Sequence, residues 1–293
     1  MNNNKCEIKF MKQWNDKETK FLKENYSKHG IKYCMEKLNF SKNRILGKVQ
    51  KLGLKLNPEV KSQSCSKPNN KCNINPDLFY NITTKEISYL LGLMWADGFL
   101  NPSKNGFSHN LGLKMVKNDV NVIKPTLDSI GKWNFYERKQ KIKSWQTTIS
   151  VITNNKRIFN FLVENDYNEK SQSSADKILS KIPNDLKHYF FRGIIDGDGC
   201  FYYYKPKKGS TLRQFALAGS YDQDWAYFEN LCNKMNIKYN IKRTINKKNQ
   251  SSSVVRITNK EGIKKIGEYI YNNYETDKIG LIRKKEKFDL LIL

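Results

Sequence analysis

The sequence predicts an α+β fold in which one α-β-β-α-β-β-α unit occurs twice in tandem. The first observation is a repeated motif: an apolar run that ends in a small residue, an aspartate and a glycine occurs at Leu90–Gly98 and again at Phe191–Gly199. The second is the spacing, because 101 residues separate Asp97 from Asp198 and 105 separate the start signals of the two closing helices. A duplication with small insertions explains both offsets.

Each copy of the motif is followed by the same predicted order of elements. An apolar motif helix leads into a strand pair, a helix, a second strand pair and a closing helix that begins at an Asn-containing signal. The predicted strands of the first half are 107–115, 133–139 and 145–153, with a helix over 119–130. Those of the second half are 200–204, 212–219, 238–244 and 254–258, with a helix over 222–235.

A separate small helical domain is predicted over residues 1–56. Asp16 is expected to cap a first helix that ends at Gly30, a second short helix follows, and Ser41 is expected to cap a third. The pattern resembles Myb/SANT-like helix-turn-helix modules, in which the third helix enters the major groove. This helix offers Lys42, Asn43, Arg44 and Lys48. A helical bundle that contacts protein is the alternative interpretation.

The remaining domain boundaries follow from composition and from the repeat. Residues 57–84 are polar and irregular, which predicts a linker. The two halves of the repeat then occupy residues 85–186 and 187–293.

The charge balance points to a polyanionic partner. The chain has 53 Lys and Arg residues against 28 Asp and Glu residues, a net charge of +25, and such an excess favours binding to nucleic acid. Lysine enrichment from an AT-rich coding sequence is the competing explanation. No apolar run of about 18 residues and no signal-peptide core is evident, so we expect an intracellular, soluble protein without a membrane partner. The six cysteines form no CxxC pair, and no zinc site is predicted.

The small residues and the carboxylates of the motif helices have different predicted roles. Gly92 and Ala96, like Gly193 and Gly197, lie four residues apart, which places them on one helix face and allows two backbones to approach closely. Asp97 and Asp198 stand at the C-terminal ends of these helices. Helix packing would bring the two carboxylates together, and divalent metal ions between them would offset both their mutual repulsion and the unfavourable helix dipole.

The two motifs and the repeat resemble the single-chain, two-motif LAGLIDADG homing endonucleases over residues 85–293. The resemblance implies that Asp97 and Asp198, with the adjoining Gly98 and Gly199, bind Mg²⁺ or Mn²⁺. Lysines after each closing helix reach the cleavage centre in this family, which indicates Lys170 and Lys278, with Lys284 as a further candidate. One departure is Trp95, which replaces the aspartate that Asp196 retains in the second copy.

The resemblance further implies that DNA lies across a saddle formed by two four-stranded sheets. Arg and Gln read major-groove base edges, whereas Lys mostly holds phosphates. The candidate DNA contacts on the strands are Lys114, Arg138, Gln140, Gln146, Arg213, Lys242 and Arg256.

The function implied is that of a monomeric, site-specific double-strand DNA endonuclease that promotes homing of an intron or other mobile element. Two alternatives use the same fold. One is an RNA maturase that assists intron splicing, with intron RNA as its partner, and the other is a DNA-binding regulator without nuclease activity. Retention of both motif aspartates favours cleavage, because binding alone has no need of converging carboxylates.

Overall fold

The computed structural model describes residues 14–57, 73–102, 109–138, 146–204, 206, 212–246 and 250–292. The chain divides into two compact units, Met1–Lys71 and Cys72–Leu293, which we call the N-terminal and C-terminal units. Within the described ranges, no helix has the length and apolar character needed to cross a membrane.

The N-terminal unit contains helices α1 (Asp16–Leu38) and α2 (Lys42–Lys51). Asn15, rather than the predicted Asp16, caps α1, because its side chain and that of Glu18 form a reciprocal capping box. Gly30 has φ 76° and kinks α1 at the boundary predicted between two separate helices. A small core fills the unit, formed by Leu22, Tyr26, Cys34, Phe40, Ile45 and Val49.

The C-terminal unit begins earlier than the predicted linker ends. Strand β1 (Asn73–Ile74) pairs with β4 (Gly131–Lys132), and the short helix α3 (Asp77–Tyr80) buries Phe79 completely. The last part of the predicted linker is therefore part of the fold, because its isolated apolar residues fill gaps beside the first half.

The first half has its elements in the predicted order, with short additions. Its strands form one antiparallel sheet in the spatial order β2-β3-β6-β5. The elements in chain order are α4 (Lys85–Asp97), β2 (Gly98–Pro102), β3 (His109–Val116), α5 (Lys117–Ile130), β5 (Asn134–Arg138), β6 (Thr148–Thr153), α6 (Lys156–Glu164) and α7 (Asp176–Leu179).

The second half repeats this arrangement. Its strands form an antiparallel sheet in the order β7-β8-β10-β9, and strand β9 starts two residues later than predicted. The elements are α8 (Lys187–Asp198), β7 (Gly199–Tyr204), β8 (Leu212–Gly219), α9 (Ala226–Lys234), β9 (Asn240–Ile245), β10 (Ser251–Ile257), α10 (Lys260–Ile270), α11 (Tyr274–Asp277) and α12 (Ile282–Ile292).

Each four-stranded sheet has one buried face and one open face. In the first sheet, Leu113 and Val151 are buried, whereas their neighbours Lys114 and Ser150 lie on the other side. The second sheet alternates in the same way, with Leu217 buried beside the accessible Ala218. The open face of each sheet is thus the face that does not pack against the hydrophobic core.

Candidate active site

The motif helices α4 and α8 pack backbone to backbone at their glycines. A Cβ atom at Gly92 would collide with the carbonyl group of Phe190, and one at Gly193 would lie 2.6 Å from the backbone nitrogen of Leu93. Gly197 faces the side chain of Ala96 in the same way. The structure therefore places all four small residues of the motifs at the contact between the two halves.

This contact brings together the carboxylates of Asp97 and Asp198, which we call the acid pair. They are the last residues of α4 and α8, and a Cβ atom at Gly197 would lie 3.2 Å from Asp97 Oδ2. Neither carboxylate has a hydrogen bond or an ion pair with any described residue. Asp97 is half-buried and Asp198 is accessible to solvent, as expected for residues on the floor of a concave surface that water can still reach.

The two carboxylates titrate differently from free aspartates. Burial raises the pKa of Asp97, which Lys170 and Lys284 partly oppose. Burial, together with the negative charge of Asp97, raises the pKa of Asp198 to about 6. The ionised form of the acid pair is therefore unfavourable by itself, and a bound cation would stabilise it.

The glycines that follow the acid pair allow the chain to turn closely out of each motif helix. Gly98 and Gly199 are extended, with φ −73° and −83°, and so do not end their helices in the left-handed conformation. A Cβ at Gly199 would lie 2.6 Å from the Ile195 carbonyl oxygen, and one at Gly98 would meet that of Met94. Glycine is needed because the chain leaves each helix tightly against its last turn.

Lys170 binds the end of the first motif helix. Its Nζ donates to the carbonyl oxygens of Met94 at 3.0 Å, Ala96 at 2.8 Å and Gly98 at 2.8 Å. Burial lowers the pKa of Lys170 to about 8, although the charges of the acid pair oppose this shift. The ammonium group thus satisfies helix-end carbonyl groups and places a positive charge beside both carboxylates.

Lys284 makes the equivalent contact in the second half. Its Nζ donates to the carbonyl oxygens of Ile195, at 3.3 Å, and Gly199, and burial lowers its pKa. The predicted Lys278 lies elsewhere: its Nζ pairs with Glu275 at 2.6 Å, and its side chain is 61% exposed. The structure therefore brings Lys284, not Lys278, to the acid pair.

A buried arginine explains why the spacing differs between the halves. Arg192, in the middle of α8, is fully buried and donates to the carbonyl oxygens of Ile270, Asn272 and Ile279. It also forms an ion pair with Asp277 at 3.2 Å. The segment between α10 and α12 wraps around this guanidinium and is longer than its counterpart before Lys170.

Trp95 and Asp196 occupy corresponding motif positions but make different contacts. Trp95 is buried and stacks edge-on against Tyr167, with 5.0 Å between ring centroids. Asp196 is buried and accepts hydrogen bonds from the Tyr89 hydroxyl and the Leu281 amide, at 2.9 and 2.8 Å. Both residues therefore anchor the segment that carries the site lysine of their own half, one by packing and the other by hydrogen bonds.

A cleft of about 600 Å³ opens beside Asp97. Two further predicted residues, Lys114 and Gln146, line it together with Asp119 and Arg283. Asp119 and Arg283 form a two-pronged ion pair, with Nε–Oδ1 and Nη2–Oδ2 distances of 2.7 and 2.6 Å. This pair links the two halves and was not predicted from the sequence, because neither residue lies in a motif.

The other predicted DNA contacts of the strands fall into three groups. Arg138 lies on the open face of the first sheet, and Lys242 and Arg256 lie on that of the second. Arg213 lies on the opposite face, where its Nε donates to the Leu291 carbonyl oxygen at 3.0 Å, so it is tied to α12 instead. Gln140 lies outside the described residues.

The predicted contacts of the N-terminal unit lie at the start of α2. Lys42 and Asn43 are exposed. Arg44 stacks on Phe40, with its guanidinium carbon 3.6 Å from the ring centroid, and Lys48 lies over the Trp14 ring at 5.5 Å. Two of the four side chains are therefore partly held by aromatic rings.

The donor set of the site suits a hard divalent cation. Among the described residues there is no group of three or more His, Cys, Asp or Glu side chains that could hold a metal. The acid pair offers two unpartnered carboxylates, whereas the carbonyl groups of Gly98 and Gly199 already accept hydrogen bonds from lysines. Mg²⁺ is commonly bound by one or two carboxylates together with water and phosphate oxygens, so these residues fit such an ion.

No protein-family model and no curated protein matches the chain. Solved structures with similarity to it include the LAGLIDADG meganuclease I-AabMI bound to uncleaved DNA, at 13% identity and a TM-score of 0.49, covering 75% of this chain and 90% of that chain. The homing endonuclease I-WcaI bound to its DNA recognition sequence has 19% identity and a TM-score of 0.45, covering 78% and 96%. I-DmoI in complex with DNA and Ca has 14% identity and a TM-score of 0.39, covering 61% and 86%.

Proposed function

We propose that the C-terminal unit is a metal-dependent endonuclease that cuts both strands of DNA at a specific site. The observation that carries the proposal is the acid pair: two unpartnered carboxylates, held together by glycine contacts, with one lysine bound at each helix end. Packing alone gives no reason for two carboxylates to converge, because the negative charge of each makes ionisation of the other less favourable. A site for a cation and a phosphodiester does give such a reason.

The residues of the site divide into binding and positioning roles. Asp97 and Asp198 would hold Mg²⁺ or Mn²⁺, which when bound supplies Lewis-acid stabilisation and an activated water for phosphodiester hydrolysis. Lys170 and Lys284 fix the helix ends through their carbonyl groups, and their charges favour the anionic form of the acid pair and the approach of phosphate. The packed glycines set the separation of the two carboxylates.

The open faces supply the surface for double-stranded DNA. They carry Lys114 and Arg138 on one sheet and Lys242 and Arg256 on the other, and the chain has a net charge of +25. Strands can lie in the major groove and read base edges through such side chains. We propose that the N-terminal unit adds DNA affinity as a helix-turn-helix module through Lys42 and Asn43, and that the cut promotes homing of the element that encodes the protein.

Cleavage can be tested without knowing the target in advance. Purified full-length protein is incubated with genomic DNA of the source organism and with a randomised plasmid library in Mg²⁺, and the new DNA ends are mapped by sequencing. We expect discrete double-strand cuts that disappear in Asp97→Asn and Asp198→Asn but persist in Lys278→Met. Cuts that survive both aspartate substitutions would contradict the proposal.

The same preparations separate the two other functions. Specific DNA binding without a cut, in wild type and in both aspartate variants, would indicate a regulator. Tight binding of intron RNA without DNA cleavage would indicate a maturase. Binding is measured by fluorescence anisotropy in EDTA, so that affinity is separated from hydrolysis.

A further inference from the structure

The two halves differ in charge at positions that the sheet register makes equivalent. Gly98 pairs with Leu113 in the first half, and Gly199 pairs with Leu217 in the second. The next residue along each strand is therefore Lys114 in one half and Ala218 in the other. Lys114 pairs across the sheet with Ser150, whereas Ala218 pairs with Val254, so the second half has no polar side chain in this row of the two strands.

Lys114 is available to a ligand. Its side chain is exposed, its Nζ has no hydrogen bond or ion pair with any described residue, and it lines two adjoining clefts together with Asp97, of about 600 and 460 Å³. A free ammonium group on the same cleft as a metal-binding carboxylate is placed to meet a phosphate oxygen.

The contacts that link the halves show the same difference. Five residues after Lys114 and Ala218 come Asp119 and Gln223, and each is 6% exposed. Asp119 is bound by Arg283 of the second half, whereas Gln223 donates to the Ser173 carbonyl oxygen of the first half at 2.8 Å. One link is ionic and lines the cleft beside Asp97, and the other is neutral.

The residues that precede the two site lysines continue the pattern. Arg283 precedes Lys284 and reaches toward the first half, whereas Glu169 precedes Lys170. Of the two cationic residues on the second open face, Arg256 stands in the row of Ala216. Lys242 stands in the row of Ala218 but on the outer strand β9, where it pairs with Val254.

We infer that the two half-sites cut at unequal rates, and that the strand whose scissile phosphate lies beside Asp97 and Lys114 is cut first. This inference rests on the proposed endonuclease function. A cation beside a reacting phosphate stabilises the negative charge that develops in the transition state, and Ala218 offers only a methyl group at the equivalent place. The protein therefore passes through a nicked intermediate in which one particular strand is broken.

The experiment follows each strand of the mapped target with a different end label in a single-turnover reaction. For the wild type we expect one strand to be cut about tenfold faster than the other. Lys114→Met should slow that strand by about tenfold or more and change the other by less than about twofold. Ala218→Lys should accelerate the slow strand, and Lys264→Met, on an exposed helix surface, should leave both rates unchanged.

A second readout needs neither metal nor cleavage. The affinity for target DNA is measured in EDTA at several salt concentrations, because each phosphate contact contributes about −0.9 to the slope of log K against log salt. Lys114→Met should make the slope shallower by about this amount, and Ala218→Lys should make it steeper by about the same amount.

Failure of this inference can be distinguished from failure of the proposed endonuclease function. Equal strand rates in the wild type, or equal slowing of both strands by Lys114→Met, would overturn the inference while leaving the endonuclease intact. An unchanged salt slope in Lys114→Met would overturn the assigned phosphate contact. No cut by the wild-type protein at any site would instead contradict the proposed function.

Discussion

Lys170 and Lys284 are equivalent residues, because each donates from its Nζ to the carbonyl oxygen of the glycine that follows a motif helix, Gly98 in one half and Gly199 in the other. The segments that carry these two lysines differ in length and structure. In the second half the intervening chain includes α11 and surrounds Arg192. The site therefore preserves the contact rather than the spacing in sequence.

Replacing Lys284 should affect both stability and cleavage. Lys284→Met leaves buried carbonyl groups without a donor, which costs about 1–3 kcal/mol, and removes a positive charge from beside the acid pair. Urea denaturation measures the first effect, and cleavage of the mapped target measures the second. Lys278→Met is the matched control and should change neither, because the Lys278 side chain is 61% exposed. A larger effect for Lys278→Met than for Lys284→Met would contradict the assignment.

The helix contact makes a sharp prediction for Gly92. Gly92→Ala would force the new methyl group into the Phe190 backbone, which cannot move without separating the helices. We expect a loss of about 3 kcal/mol or more in the free energy of unfolding, at or above the usual range for overpacking, and loss of cleavage because the acid pair separates. Thermal unfolding monitored by circular dichroism tests this, and wild-type stability in Gly92→Ala would show that α4 and α8 do not touch there.

The acid pair should make stability depend on pH and on metal. Because the pKa of Asp198 is raised to about 6 in the folded protein, from an ordinary value near 3.9, the folded state binds more protons between about pH 4 and 6. Stability without metal should therefore fall as pH rises through this window, since the unfolded state then binds fewer protons. Asp198→Asn should reduce this fall. Asp97 and Asp196 contribute to the part that remains, because burial raises the pKa of both, that of Asp196 to about 6.

Metal reverses the trend, because a divalent ion binds the ionised carboxylates of the folded state. Adding Mg²⁺ should raise the melting temperature above pH 6 and have little effect near pH 4. Differential scanning fluorimetry across this range checks both statements. Asp222→Asn, at an exposed position away from the acid pair, is the control and should keep the wild-type response. A Mg²⁺ response that is the same in Asp198→Asn as in the wild type would rule out this residue as a ligand.

Two glycines of the N-terminal unit should respond to alanine in opposite directions. Gly47 lies inside α2, and a Cβ atom added there would meet nothing within 4 Å, so Gly47→Ala should stabilise the unit by about 1 kcal/mol. Gly30 has φ 76° and ψ −177° at the kink of α1, a backbone conformation essentially restricted to glycine, so Gly30→Ala should cost about 1–3 kcal/mol. Amide hydrogen exchange of the full-length protein reports the opening energy of α1 and α2 separately from the rest of the chain. Equal signs for the two substitutions would contradict the kink.

Sequence reasoning succeeded where the signal is local and repeated. The duplicated helix-strand order followed from the two motifs, and the small residues at Gly92 and Gly193 indicated a close helix contact that the structure contains. Residue types at fixed offsets from a recognisable helix end are sufficient for such inferences. The acid pair itself was predicted for the same reason.

The inferences that depended on distant contacts were less successful. Lys278 was predicted ahead of Lys284, whereas the structure brings Lys284 to the end of the second motif helix. A signal did exist: Arg192 in an otherwise apolar helix requires buried acceptors, and the extra chain before α12 supplies them. Arg213 was predicted to face DNA, but the register places it beside Tyr203 on the helical side. The link between Asp119 and Arg283 joins residues far apart in sequence and leaves no local pattern.

Under the proposed function, the different side chains on the two open faces have a consequence for the DNA target. A symmetric dimer presents the same side chains twice and therefore selects palindromic sequences. Here Asn101 of the first open face corresponds to Tyr202 of the second, and Ile152 corresponds to Arg256. The two faces therefore present different side chains within a single chain. The target is therefore expected to be non-palindromic, with each half of its sequence able to change independently of the other.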